Sequence, residues 1–442
     1  MSNADLIVRL FLQLAVILAA CRLVGMLGRW LGQAQVVCEM LAGLLLGPSC
    51  FGLLAPTLQR ALFPTQATVG GVVITHPSMS ILYVIAHLGI ALYMFLVGLE
   101  FETQMIRKHA LQASVISAAG MVTPVVLGSA YALVLYQQGD LFGAGVSPLT
   151  AALFLGAALS ITAFPMLARI LQQYHQAQTQ LGALVLTVAA AEDIAAWCLL
   201  AVVLATLNHS PIMIIITVGG GALYTAGMLT VGRYGLRLLG RMVDRTEHVS
   251  QEVIVLTLLV VLLCAWLTTQ IGIYELFGAF VAGVAMPRGR LAETLRQRLE
   301  TITSGLLVPV FFVYAGLNVR LTLIDTPNLW LATAIIIGLA LLGKVVACAL
   351  AARVVKFSWR DSLTVGALMN ARGLIELILL AIGLETHIIS PTLFAMLTLM
   401  ALITTLLTTP LYRWLSGRRV GQELRTSRTD TGDAQRGQLT PA

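Results

Sequence analysis

Thirteen apolar runs, joined by short polar stretches, constrain this chain more than any other feature. They lie at about residues 5–28, 34–48, 79–99, 110–136, 148–171, 180–207, 211–232, 251–270, 274–287, 301–317, 328–352, 362–384 and 391–412. A membrane-crossing helix needs about 20 mainly apolar residues, and most of these runs supply them. Hydrophobic residues make up 58% of the 442 positions and charged residues 11%. A soluble domain carries roughly 25% charged residues, so the fold class read here is an all-α membrane protein with 13 transmembrane helices. The second and ninth runs are too short to cross a hydrocarbon layer of about 30 Å upright. Pro165 interrupts the fifth run and Pro309 the tenth. The first run is long enough to span and continues past Ala19-Ala20, so it reads as a retained helix and not a cleaved signal.

The basic residues set the orientation. With the N-terminus outside, 22 of the 27 Lys and Arg residues fall on the inner side, and Arg9, Arg60 and Arg320 fall outside. The remaining two, Lys344 and Arg372, lie within apolar runs. The expected location is therefore a cell inner (plasma) membrane, multi-pass, with the C-terminus cytoplasmic. The net charge of +7 is thus explained by topology, and no nucleic-acid partner is expected. The six cysteines form no CxxC pair and no Cys/His cluster, so no metal or redox centre is suggested. Residues 417–442 are rich in Arg, Thr, Gly and Gln and read as a disordered tail after a membrane domain of residues 1–416.

The two halves echo one another. Ala42-Gly43-Leu44-Leu45-Leu46-Gly47-Pro48 resembles Ala282-Gly283-Val284-Ala285-Met286-Pro287, and Tyr93-Met94-Phe95-Leu96-Val97-Gly98-Leu99-Glu100 resembles Phe311-Phe312-Val313-Tyr314-Ala315-Gly316-Leu317-Asn318. Each pair is seven runs apart. An odd offset inserts the copies with opposite polarity, which is the inverted repeat of secondary transporters. Repeat one would cover about 5–207 and repeat two about 251–412.

Ionisable residues inside a span are costly and usually functional. Here they are Glu192, Asp193, Lys344, Arg372 and Glu376, with Glu39 and Glu275 near the ends of short runs. Glu192 and Asp193 are adjacent in the sixth run, so they point about 100° apart on a helix and only one can face a given site squarely. Carboxylate oxygen suits both a hard monovalent cation and a proton, and one group can serve each in turn. The competing reading is a structural ion pair with Lys344 or Arg372. The fifth run holds Ser160-Ile161-Thr162-Ala163-Phe164-Pro165, where proline should break the helix and free polar backbone groups at membrane depth. The plainer alternative is a simple proline kink. Seven runs later, Asn370-Ala371-Arg372-Gly373 predicts a second break, with Arg372 and Glu376 spaced i, i+4 to pair on one face. Lys344, one of three lysines in the chain, is a candidate proton carrier or a rival cation for Asp193.

These residues resemble the monovalent cation/proton antiporter-2 family over essentially the whole membrane portion, 5–415. The resemblance rests on Glu39-Met40-Leu41-Ala42-Gly43 through Gly47-Pro48, Ser160 to Pro165, the acidic pair before Ile194, and Asn370 to Gly373 with Glu376. Within the family the chain looks most like bacterial relatives of plant cation/proton exchangers. The resemblance implies two crossed broken helices, elevator-like alternating access and a homodimer of protomers with a dimerisation and a core domain. It also implies that Asp193 is the ion- and proton-binding aspartate and Lys344 the buried base, with Thr162 and Asn370 at the crossover. Ser160 and Glu192 join the ion-binding set, and Arg372 and Glu376 compensate charge. Glu192 stands where relatives carry Asp, Asn or Gln, so proton stoichiometry is not carried over. Expected partners are Na⁺ or K⁺, H⁺ and membrane lipid. No cofactor and no enzyme activity are expected. The rival readings are a sodium-coupled symporter of an organic anion, which a buried lysine beside carboxylates disfavours, and a non-transporting sensor subunit.

Overall fold

The computed structural model describes residues 3–416 apart from 31–32, 34, 65, 70–71, 76, 101–102, 175, 178, 209–210, 247–248 and 274. The tail expected to be disordered lies outside the described residues. In chain order the helices are α1 (Asn3–Trp30), α2 (Gln35–Leu46), α3 (Phe51–Leu54), α4 (Pro56–Leu62), α5 (Pro77–Glu100) and α6 (Thr103–Gln137). Then come α7 (Pro148–Ser160), α8 (Phe164–Gln173), α9 (Gln180–Asn208), α10 (Pro211–Gly227), α11 (Arg233–Thr246), α12 (Gln251–Gln270) and α13 (Glu275–Ala285). The last six are α14 (Arg290–Ile302), α15 (Val308–Leu317), α16 (Pro327–Val354), α17 (Trp359–Leu368), α18 (Leu374–Glu385) and α19 (Pro391–Ser416). Every apolar run read from the sequence coincides with one helix or a broken pair. Among the described residues, eight helical segments are long and apolar enough to cross a membrane by themselves. α7 and α13 are apolar but shorter.

Local chemistry explains many of the boundaries. Proline occupies the first position of α4, α5, α7, α10, α16 and α19, where its missing amide costs nothing. Ser147, Ser250, Thr326 and Ser358 cap α7, α12, α16 and α17 by accepting a bond from the amide three residues on. Two stretches depart from the sequence reading. A hairpin of β1 (Gln66–Val69) and β2 (Val72–Thr75) pairs Gln66 with Thr75, so the chain is not wholly helical. The seventh run does not stop at 232: a π-helical turn, Met228–Gly232, carries it into α11, and a second such turn, Thr303–Leu307, joins α14 to α15. Both extensions are amphipathic, and a search for uniformly apolar runs passes over them.

The four helices that carry the sequence echoes pack crosswise, α2 on α15 and α5 on α13. A Cβ at Gly43 in α2 would lie 2.7 Å from the Val313 backbone of α15. One at Gly98 in α5 would lie 2.3 Å from the Phe280 carbonyl of α13. Glycine at these points lets backbones touch, the usual device where lipid removes the hydrophobic drive for helix association. α6 packs on α7, α9 and α16, and α19 on α16, α17 and α18. Between α5 and α15 on one side and α18 and α19 on the other lie cavities of about 670 and 210 Å³. Below them the cleft narrows to about 20 Å³ among Met40, Leu44, Phe312, Leu377 and Leu402.

Candidate functional site

Two helices break at one place. α7 ends at Ser160, residues 161–163 are not helical, and α8 resumes at Phe164. Pro165 sits directly after that restart, where a residue without an amide is tolerated only in a first turn. α17 ends at Leu368, and α18 resumes after residues 369–373. The two gaps are bonded to each other. The Ala163 amide donates to the Ala371 carbonyl at 2.9 Å, and the Thr162 hydroxyl donates to the Met369 carbonyl at 2.9 Å. The fifth run is therefore broken outright and not merely kinked.

The final carbonyls of a helix carry partial negative charge and lack partners within the helix. At the end of α7 they are met by cations from elsewhere. The Arg372 guanidinium donates to the carbonyls of Leu159 (2.7 Å), Ala158 (2.9 Å) and Ile161 (3.3 Å), and Lys344 Nζ donates to the Ser160 carbonyl. Lys344 Nζ also lies 2.8 Å from Glu192 Oε2, with both side chains fully buried. Arg372 Nη1 lies 3.5 Å from Glu376 Oε2, again fully buried. The Arg372 backbone amide donates to Thr405 Oγ1 on α19 at 3.1 Å. At the opposite end of the gap, the first amide of α8, Phe164 N, points at Asp193 Oδ1 at 3.5 Å. A carboxylate there is favoured by the positive end of the half-helix.

All eight residues singled out in the sequence fall in this buried region: Ser160, Thr162, Glu192, Asp193, Lys344, Asn370, Arg372 and Glu376. Their arrangement differs from the expectation in one respect. Lys344 pairs with Glu192, so the structural ion pair weighed as the competing reading is present for one carboxylate of the two. Among the described residues no cationic side chain lies within salt-bridge range of Asp193. Ser160 Oγ is engaged with the Ala157 carbonyl at 2.9 Å. Asn370 is different: both atoms of its amide are buried without a hydrogen-bond partner, as is Glu192 Oε1. Buried polar atoms without partners are rare in native structures and point to water or an ion. Glu39 and Glu275 stand elsewhere. Glu39 accepts from Gln35 Nε2 at 3.2 Å within α2, and Glu275 pairs with His87 of α5 at 2.5 Å.

Charge arithmetic at the crossing is simple. Glu192, Asp193 and Glu376 give three negative charges when ionised, and Lys344 and Arg372 give two positive ones. Two pairs cancel, and one negative charge remains on Asp193. A single monovalent cation or a single proton makes the site neutral.

Two contributors escaped the sequence reading. Gly120 of α6 lies under Glu192: a Cβ built there would be 2.7 Å from Oε1 and 2.6 Å from Cys348 Sγ. Its only sequence signal is a glycine within a small-residue stretch of an apolar run. Thr405 is one of several buried threonines in α19, and nothing in its local sequence marks it as a partner of the break.

Residues 15–415 match the family described as sodium/hydrogen exchanger, transmembrane. The Na⁺/H⁺ antiporter NhaS4 of Synechocystis is 38% identical over 399 residues, covering 90% of this chain and 94% of that protein. Cation/H⁺ antiporter 18 of Arabidopsis thaliana is 35% identical over 402 residues, and K⁺/H⁺ antiporter 1 of Saccharomyces cerevisiae is 32% identical over 420 residues. The chain spans about half the length of these two relatives, 48% and 46%. Among solved structures, the sodium proton antiporter MjNhaP1 of Methanocaldococcus jannaschii superposes with a TM-score of 0.62 at 16% identity, covering 94% of this chain and 98% of that one. At that identity the likeness speaks to the fold.

Proposed function

Because this chain belongs to the sodium/hydrogen exchanger family of transmembrane proteins, we propose that it is an antiporter exchanging one monovalent cation, Na⁺ or K⁺, for H⁺ at Asp193. The observation that carries the reading is the single uncancelled carboxylate at the crossing. Leaving that charge uncompensated in a buried site is costly, so the carboxylate is loaded with either a cation or a proton, and loading one excludes the other. This competition is the chemistry an exchanger needs. Asn370, with a free carbonyl oxygen and a free NH₂, supplies a neutral ligand. Thr162 retains acceptor lone pairs after donating to Met369. The Glu192–Lys344 and Arg372–Glu376 pairs hold the half-helices and cancel fixed charge, and Lys344 is the second group able to carry a proton.

In this reading α6–α9 with α16–α19 form the moving core. α1, α2, α5 and α12–α15 form a scaffold through which two copies associate as a homodimer. The cleft between α5/α15 and α18/α19 lies along that division, which favours an elevator-like movement of one block past the other. The repeats, about 5–207 and 251–412, are supported by the crosswise glycine contacts, because exchanging α2 with α13 and α5 with α15 turns one contact into the other. The membrane is a cell inner membrane, with the N-terminus outside and the C-terminus cytoplasmic. The test is antiport in everted vesicles, with dequenching by Na⁺ and by K⁺ across a pH series. Cation-dependent proton movement is expected in wild type and none in Asp193→Asn. Full exchange by that variant would refute the assignment.

A further inference from the structure

α10, the π-helical turn and α11 form one helix from residue 211 to 246. Its first part is an apolar span; its second carries Arg233, Arg237, Arg241 and Arg245 at strict four-residue spacing, which sets them in one row along the helix. Arg233, Arg237 and Arg241 are exposed. The other face is occupied: Leu236, Leu239 and Val243 are buried, and Gly240 abuts Pro287, where a Cβ would stand 3.0 Å from its ring. Arg233, Arg237 and Arg241 therefore face away from the protein. Beside it, Val231, Tyr234 and Leu238 are exposed as well, at 76%, 65% and 47%. A surface that alternates arginine with exposed apolar side chains suits the boundary between acyl chains and headgroups.

Position along the helix supports the same conclusion. Residues 211–232 rise about 33 Å at ~1.5 Å per residue, enough for a hydrocarbon layer of about 30 Å. Arg233 then stands at the edge of that layer and Arg237 about 6 Å beyond it, within the depth of the headgroups. Arg241, about 12 Å beyond the edge, stands past that region and reaches headgroups only along its own side chain. Like charges at i, i+4 weaken a helix, and α11 has one acidic residue, Asp244, against four arginines. A row of anions along the arginines removes that repulsion, and guanidinium forks bind phosphate oxygens two at a time.

We propose that the arginine row of α11 binds the phosphodiester headgroups of anionic lipids in the leaflet where this helix leaves the membrane. Positive charge near membrane ends can follow from topology alone, so the experiment separates position from total charge. The purified protein in neutral detergent is titrated with phosphatidylglycerol, with phosphatidylcholine or with inorganic phosphate. Thermal melting and lipid retained in native mass spectra are recorded. Phosphatidylglycerol is expected to raise the melting temperature and remain bound, while the other two do neither. Arg233→Gln/Arg237→Gln should lose about fivefold in apparent affinity per arginine, Arg241→Gln less, and Arg233→Lys/Arg237→Lys should keep part of the binding. Arg418→Gln/Arg419→Gln, which removes the same charge from the tail, should bind as wild type. Equal retention by wild type and Arg233→Gln/Arg237→Gln would overturn the proposal. So would an equal loss in the tail variant, or an equal effect of inorganic phosphate.

Discussion

At the first break, between α7 and α8, four backbone carbonyls are held by cationic side chains from elsewhere, Arg372 of the second break and Lys344 of α16. At the second, between α17 and α18, the partners are neutral: the Thr162 hydroxyl, the Ala163 amide and the Thr405 hydroxyl. The two breaks expose the same kind of backbone groups at the same depth, yet fixed charge gathers at one and hydroxyls and an amide at the other. The carboxylate left over, Asp193, faces the restart of the charged break. The unpartnered neutral side chain, Asn370, belongs to the second. In the proposed mechanism the two breaks divide the work: the charged one creates the demand for a cation, and the neutral one offers it oxygen without adding charge.

The largest expected effect tests that division directly. Asp193→Asn removes the uncancelled charge, and exchange should fall to the vesicle background while the protein still purifies as a folded species. Asn370→Ala removes a neutral ligand and should leave exchange in place, with apparent cation affinity weaker by about tenfold, the worth of one hydrogen-bond-scale contact to a charged group. Vesicle exchange over a range of Na⁺ and K⁺ concentrations distinguishes the two. Equal loss in both variants would mean that the two breaks do not divide the work in this way.

Stability should also be unequal between the breaks. Arg372→Ala strips three carbonyls at the end of α7 and leaves Glu376 as a buried carboxylate without its partner. Breaking a buried pair by removing one side costs about 3–5 kcal/mol, so a marked drop in melting temperature or yield is expected. Arg372→Ala/Glu376→Gln should recover part of that loss because the stranded charge is gone. Thr405→Val, at the neutral break, removes one hydroxyl and should cost about 1 kcal/mol. Thermal melting of the three purified variants ranks them. A Thr405→Val as unstable as Arg372→Ala would contradict the comparison.

Much of this was legible in the residues and some was not. Spans are readable because lipid demands long apolar runs, and breaks because Pro165 and Asn370-Ala371-Arg372-Gly373 cannot continue a buried helix cleanly. The spacing of Arg372 and Glu376 announced their contact. Which carboxylate Lys344 meets was not readable: Glu192 and Asp193 differ by about 100° of rotation, and the rotation of α9 is set by its packing on α6 and α7. Gly120 shows the same limit, since its role is to make room for a side chain 72 positions away in the chain. α11 falls between the uniformly apolar runs because its apolar residues occupy one face only.

The smallest effect on rate, and the sharpest on mechanism, is expected from Glu192. This carboxylate belongs to the charged break, but it is spent on Lys344 at 2.8 Å and does not bear the uncancelled charge. Glu192→Gln keeps the length and a hydrogen-bonding oxygen, so Lys344 retains a contact and the half-helices stay in place. What it loses is the counter-charge. Without a carboxylate beside it, the buried Lys344 side chain has no counter-charge with which to take up and release a second proton. If wild type moves a second proton by charging and discharging Lys344, each cycle carries one net charge and responds to membrane potential. In Glu192→Gln the cation-loaded and proton-loaded forms then carry equal charge, and that response disappears while exchange continues. Vesicles clamped with valinomycin at several K⁺ gradients, with Na⁺ as the exchanged ion, read the response. Potential-independent exchange in wild type would remove the second proton from the cycle. Exchange as absent in Glu192→Gln as in Asp193→Asn would place the transported ion on both carboxylates and end the separation of a binding acid from a pairing one.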